Sequence, residues 1–459
     1  MKLVKTKTSN INYLSKIVDI HSFKSHPNPE VTRLKIAVVD GFEIIVGIDE
    51  KPGMFVYFPT NSQINPNFLS FANLYRDATK NADTTKSGFF NDNGRVTAIK
   101  LKGVVSEGFL LPVSVLNSFL ESTISNSIDK FENGVEFDSI EHDGKQFWLS
   151  RKYVIRTTTG KSGCSCSKSE RKRLKFDRIV PSQFRFHYDT QLLKKQPWVI
   201  ERNSLISITS KIHGTSGISA YVICRKPVSL MKKILYFLSG FGWNKFDLDY
   251  QYVYSSRSVI KNRDINTNQN GGYYKCDVWK YADDVIRPFL TKGMTMYYEI
   301  VGYLPNGGYI QKDYDYGCTP PADGKYIHEQ NFKVRVYRIT ITDVDGNVHE
   351  FSAREVQQYC EYVGLTPVKE LYYGYASDLY PQMRATTNFS KIFIERLAND
   401  KSFFMEMRSP DCTNNVPHEG IVIKIEDMKP RAYKLKCFAF LNKEQKELDN
   451  NVENIEDNA

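Results

Sequence analysis

Hydrophobic and polar positions divide the chain into two regions of different rhythm. In "RLKIAVVDGFEIIVGI", two apolar runs flank Asp40-Gly41, a dipeptide suited to a two-residue hairpin. "KPGMFVYFP" and "GRVTAIKLKGVVSEGFLLP" continue as short strands interrupted by Gly and Pro. About five short strands in roughly 110 residues predict a small closed sheet, and an OB-like β-barrel is the expected fold of residues 1–150. Val113–Leu120 has helical spacing inside this region.

A second rhythm runs from Ile179 to Phe440. Strand-like runs such as "NSLISITSKI", "SAYVICR", "MTMYYEIVGYL", "FKVRVYRITITD" and "GIVIKIE" are separated by helical ones, "VSLMKKILYFLSGFGW", "ADDVIRPFLTKG" and "SAREVQQYCEYVG". They do not alternate as regular βαβ units. The spacing therefore predicts an α+β domain over 179–440, built of largely antiparallel sheets flanked by helices. The remaining "KEQKELDNNVENIEDNA" is polar and acidic, predicting a disordered tail over 441–459.

Charge adds a third segment. The net charge is +10, and residues 151–178 carry ten Lys or Arg against Glu170 and Asp177, a net of +8. This basic linker suits a polyanion, since phosphate contacts release counterions. No apolar run reaches bilayer length, and "MKLVKTKTSN" lacks the apolar core of a signal peptide, so no membrane partner and a cytoplasmic setting are expected. Eight scattered cysteines agree with reduced thiols.

Several motifs fail on inspection. "RTTTGKSG" lacks the Gly that a phosphate-binding loop needs five positions before Gly160, where Ile155 stands. "CSC" (Cys164, Cys166) has no second ligand pair, and "TDVDGN" reads as a hairpin turn. "SKIHGTSG" does not fail. Lys211 closes an apolar run and precedes a turn of small residues, where Gly214 and Gly217 leave room for a phosphate and Thr215 and Ser216 offer hydroxyls. A lysine becomes a nucleophile only when it loses a proton from an amine of pKa about 10.4, which burial and nearby cations promote. Downstream come Arg257 in "YSSRS", Glu299 inside the apolar "MYYEIVGY", Glu419-Gly420 opening "EGIVIKIE", and Lys434 and Lys436 two apart in "AYKLKC", hence on one face of a strand.

In this order the set resembles the covalent nucleotidyltransferase superfamily of ATP-dependent DNA ligases, RNA ligases and capping enzymes. Lys211-Ile212-His213-Gly214 matches its motif I and Ser255-Ser256-Arg257 its motif Ia. Glu299 with Gly302 matches motif III, Glu419-Gly420-Ile421-Val422 motif IV, and Lys434-Leu435-Lys436 motif V. "RFHYDT" (Arg185–Thr190) and the first-region strands are similar to the Deinococcus-type RNA ligases, which place an OB module before the nucleotidyltransferase domain.

The resemblance implies that Lys211 attacks the α-phosphate of ATP, holds AMP as a phosphoramide and passes it to an RNA 5′-phosphate, after which a 3′-hydroxyl seals the strand. It implies nucleotide contacts by Lys211, His213, Gly214, Arg257, Glu299, Tyr337, Lys434 and Lys436. Glu419 is assigned to Mg²⁺ or Mn²⁺, and Tyr337 to stacking on adenine, with Phe332 as its alternative. Ser210 stands where RNA ligases often carry Glu, so adenine recognition is expected through backbone groups. The expected partner is RNA at nicks in duplexes, an RNA–DNA hybrid included, and the expected state is a monomer. The alternatives are a DNA ligase, a capping guanylyltransferase, or an OB-fold nucleic-acid-binding protein without catalysis. About twenty residues follow Lys436, which argues against a trailing OB module.

Overall fold

Alternation of apolar and polar residues in the second region turns one face of each strand to a core and the other to a shared cleft. The computed structural model describes residues 1–7, 9–155, 178–239, 246–263, 274, 276–403 and 408–450. The elements that matter here are Ser15–Ile20 (β1), Gly53–Phe58 (β2), Phe109–Pro112 (β3), Val113–Ile124 (α1), Leu205–Ser210 (β4), Thr215–Pro227 (β5), Phe246–Ser256 (β6), Val278–Ile286 (α2), Met294–Gly302 (β7), Phe332–Thr342 (β8), Ala353–Val363 (α3), Glu370–Tyr375 (β9), Gly420–Ile425 (β10), Arg431–Lys436 (β11) and Phe438–Asp449 (α4).

Two sheets carry the site. One runs Gln191–Leu192, β11, β10, β4, β9, antiparallel except for the first pair. The other runs Ile260–Lys261, β6, β5, β7, β8, Val348–Glu350 and is antiparallel throughout. Ile206, Ile208, Ile421, Ile423, Tyr433 and Leu435 pack the outer core of the first sheet. Met296, Tyr298, Ile300, Val334, Val336 and Ile339 pack the second against α2 and α3, including Trp279 and Val356. Helix α3, expected from the helical spacing of "SAREVQQYCEYVG", begins with a capping box, Ser352 with Glu355, and ends at Gly364 with φ +74°. The α+β class holds.

The first region departs from the expected barrel. Asp40-Gly41 does turn a hairpin, with Val39 facing Phe42. Yet residues 1–152 form five small sheets, and among the described residues no barrel closes. The reason lies in β1 and β2. Ile17, Val56 and Phe58 join one core with α1, while Val18, Phe55 and Tyr57 join another on the opposite face. A strand buried on both faces is the middle layer of a sandwich rather than a wall with one wet side.

The expected tail also changes. Residues 441–449 belong to α4, whose Phe440 and Leu448 are buried. Arg95 of the first region donates to the Gln445 carbonyl at 3.2 Å and to Asp449 at 2.5 Å, docking this helix. Within the basic segment, Ser150–Lys152 is a strand paired with Ser62–Ile64. Residues 156–177, with Cys164, Cys166 and the GKS stretch, lie outside the described residues. No helix among the described residues is long and apolar enough to cross a membrane.

Candidate functional site

Between the two sheets lies a cavity of about 150 Å³. It brings together Lys211, Arg257, Glu299, Tyr337 and Lys434, five of the residues singled out in the sequence, from separate strands and turns of both sheets. Lys211 reaches it because β4 and β10 remain in register to their ends: Ser210 pairs with Ile421, and the Lys211 amide donates to the Gly420 carbonyl at 2.9 Å. Its ammonium lies 2.5 Å from the Glu419 carboxylate, which is 1% exposed. Glu299 sits between Tyr298 and Ile300, both in the outer core, so strand alternation turns its carboxylate the other way, into the cavity.

A β-bulge explains the aromatic. In β8, Val336 faces Tyr298 and Arg338 faces Tyr297, which leaves Tyr337 as the extra residue. The bulge reverses the burial parity, so Tyr337 and Arg338 both line the cavity although adjacent. Tyr337 bonds to the Ser216 hydroxyl at 3.0 Å; burial, and next Glu299, push its phenol above the ordinary range. Phe332, the alternative, precedes the bulge on the core face and stacks on Tyr326. It is excluded as a cavity residue.

Four other assignments, Glu419 behind Lys211 among them, fall outside the lining of the main cavity. The His213 carbonyl accepts from Tyr316 at 2.6 Å, and its ring lies against Tyr314 and Phe440. Gly214 is needed for close approach: a Cβ there would meet the Ile300 carbonyl oxygen at 2.5 Å. Lys436 shares a face with Lys434 but bonds to Glu444 of α4 at 3.0 Å. With Lys434 it lines a second, smaller cavity of about 60 Å³ against the first region.

Sequence reasoning missed several groups. Asp189 accepts from Lys434 at 2.8 Å and from Asn10 of the first region at 2.6 Å, with Arg257 at 3.5 Å. Burial acts to raise its carboxyl, but Lys434, Asn10 and Arg257 together hold it well below the usual range. Lys434 is itself lowered, by burial first, with Lys436 and Lys211 adding repulsion against the pull of Asp189. His187 packs edge-on against Tyr337 and is lowered to about 3 by burial, then by Arg338 and Arg257, so its imidazole is neutral. Deeper, Glu350 pairs with Arg338 at 2.7 Å and Lys424 at 3.3 Å. His187 and Asp189 stand within "RFHYDT", which was the available signal; Glu350, Arg338 and Lys424 had none.

Glycine also fixes Glu419. Gly420 has φ +136°, and a Cβ there would collide with the Leu435 carbonyl and lie 2.9 Å from Lys436 Cα. Gly420→Ala is expected to lower stability by on the order of 3 kcal/mol, measured by urea unfolding. A loss below about 0.5 kcal/mol, the level of an ordinary surface change, contradicts this account.

The arrangement can hold a small polyanion. Cations from both sheets face one space beside an amine, with an aromatic, a carboxylate and hydroxyls at hand. No family model matches the sequence, and no curated protein matches it. Solved structures do match. A variant of Naegleria gruberi RNA ligase with ATP and Mn has TM-score 0.53 at 15% identity, covering 95% of this chain and 99% of that one. Naegleria gruberi RNA ligase with PPi has TM-score 0.53 at 14% identity, covering 95% and 100%. A further variant with AMP and Mn has TM-score 0.53 at 14% identity, covering 94% and 98%. The chain shares the fold of these RNA ligases along almost its whole length.

Proposed function

We propose that the protein is an ATP-dependent RNA ligase that joins 3′-hydroxyl and 5′-phosphate ends. The observation that carries this is the placement of the Lys211 amine in a cavity shared with Lys434, Arg257, Glu299 and Tyr337. The fold likeness to RNA ligases solved with ATP, AMP and Mn supports it. Such transfers depend mostly on positioning and on cations around phosphorus.

Lys211 Nζ gives up a proton, bonds to the α-phosphorus, and pyrophosphate leaves with the broken P–O bond. Lys434 and Lys211 repel each other, and this repulsion works against the pull of Glu419 on the Lys211 proton. A 5′-phosphate oxygen of RNA then takes the nucleotide from nitrogen to form an adenylylated end. The 3′-hydroxyl attacks that end's own phosphorus, and AMP leaves. Glu299 accepts from the ribose, Tyr337 stacks on adenine, and Arg257 and Lys434 offset phosphate charge. Lys436, beside Lys434 in the smaller cavity against the first region, adds to the charge that offsets the phosphates.

Glu419 fits a magnesium or manganese ion, because hard cations are held by one or two carboxylates together with phosphate oxygens. Glu419 would hold such an ion, which would supply positive charge to the triphosphate.

The first region, docked through Arg95 and Asn10, is assigned to holding duplex RNA, in the module order of the Deinococcus-type RNA ligases. Incubation with α-labelled ATP or GTP and Mg²⁺ or Mn²⁺ tests the reading. A labelled protein band with ATP, followed by faster joining of nicked RNA than nicked DNA, is the expected result. Labelling with GTP alone points to a capping guanylyltransferase, and faster joining of nicked DNA to a DNA ligase. No band with either nucleotide overturns it.

A further inference from the structure

A polar trio that the chemistry above does not use runs from Ser210, at the cavity wall, to His418 and Asp411 behind it. Ser210 precedes Lys211, and His418 precedes Glu419. Ser210 is 2% exposed and His418 is fully buried, and their side chains meet at 3.1 Å between Oγ and Nε2. The Ser210 hydroxyl also donates to Asp411. A hydroxyl has one hydrogen, so with that hydrogen given to Asp411 it can only accept from His418. The imidazole is therefore the Nε2–H tautomer.

The geometry points to His418 and Asp411 as positioning residues that act through Ser210. The pair Ser210–His418 sits one residue before the pair Lys211–Glu419 on both segments, so one hydrogen bond fixes both backbones at once. The segment is anchored from a second side, where Tyr314 donates to the Pro417 carbonyl at 3.0 Å. Losing the trio leaves the β4–β10 ladder but lets the ends of both segments shift. A displacement near 1 Å at a reacting group costs about 10²-fold in rate. Neither His418 nor Asp411 lines the cavity, so neither touches the nucleotide.

The kinetic arm rests on the ligase reading; a structural arm does not. In the first, Ser210→Ala and His418→Leu are each expected to slow formation of the lysine–nucleotide adduct by about 10²-fold, with KM for ATP changed less than threefold. His418→Gln restores a donor and should recover to within tenfold of the parent. The double variant should be no slower than either single one, because both delete the same unit. In the second arm, a crystal structure of Ser210→Ala is expected to show the Lys211–Glu419 contact opened to 4 Å or more. A rate within threefold of the parent, additive losses, or an unmoved contact each overturn the inference. If the parent forms no adduct, the ligase reading fails, and the crystal structure still decides this one.

Discussion

Lys211→Ala and Lys211→Arg are each expected to abolish the covalent nucleotide adduct, to below one part in about 10⁴ of the parent rate. Alanine removes the nucleophile. Arginine keeps the charge beside Glu419 but holds its protons above pH 12, so it has no lone pair to offer phosphorus. The pair of variants therefore separates chemistry from electrostatics. Alanine leaves the buried Glu419 carboxylate without the ammonium now 2.5 Å away, which should lower stability by about 1–3 kcal/mol. Arginine should lose less. Labelled-nucleotide incubation read on a denaturing gel gives the rate, and thermal melting shows that each variant is folded. An adduct that survives in either variant means that another residue carries the nucleotide.

Much of the second region was legible before any coordinates. Lys211 stands out because an apolar run ends on it and small residues follow. Lys434 and Lys436 share a strand face because the side-chain period is two. Their fates still differ, because a helix places Glu444 against one of them and not the other. Glu299 stood out as a carboxylate inside an apolar run. Tyr337 was placed by resemblance, although the bulge that turns it inward leaves a mark: in "VRVYRI" the apolar positions step by two from Val334 to Val336 and then by three to Ile339.

Other features were hidden for a different reason. Asp189, Glu350 and Lys424 become neighbours only when two sheets stack, and no local pattern encodes that. Ser210 and His418 are 208 positions apart. The barrel expectation failed although a signal was present. "GMFVYF" is apolar without interruption, which fits a strand covered on both faces better than one with a solvent side. Within the expected tail, residues 441–449 were misjudged from acidic composition, while Phe440 and Leu448, two turns apart on one helix face, were enough to dock that helix; residues 451–459 lie outside the described residues.

The second large effect concerns the residue that sequence reasoning left out. Asp189→Asn is nearly isosteric, yet it removes the anion that balances Lys434, whose side chain is 13% exposed, and Arg257. An amide offers one acceptor oxygen and one NH₂. With donors arriving from both Asn10 and Lys434, at least one of them must face the NH₂. Stranding a buried cation costs about 3 kcal/mol, and that loss is expected at pH 7 in urea unfolding. The pH dependence follows from the direction of the shift. A carboxyl held below its unfolded value of about 3.9 stabilises the fold fully above that pH. The contribution is lost only as pH falls through the lower, folded value. The gap between parent and variant should therefore stay constant from pH 7 to about 5 and close in more acidic solution. Adding Lys434→Met to Asp189→Asn should recover part of the loss, because the unmatched charge has gone. A gap that persists unchanged at pH 2, or a double variant weaker than the single one by the full cost of Lys434→Met alone, would mean that Asp189 does not neutralise Lys434.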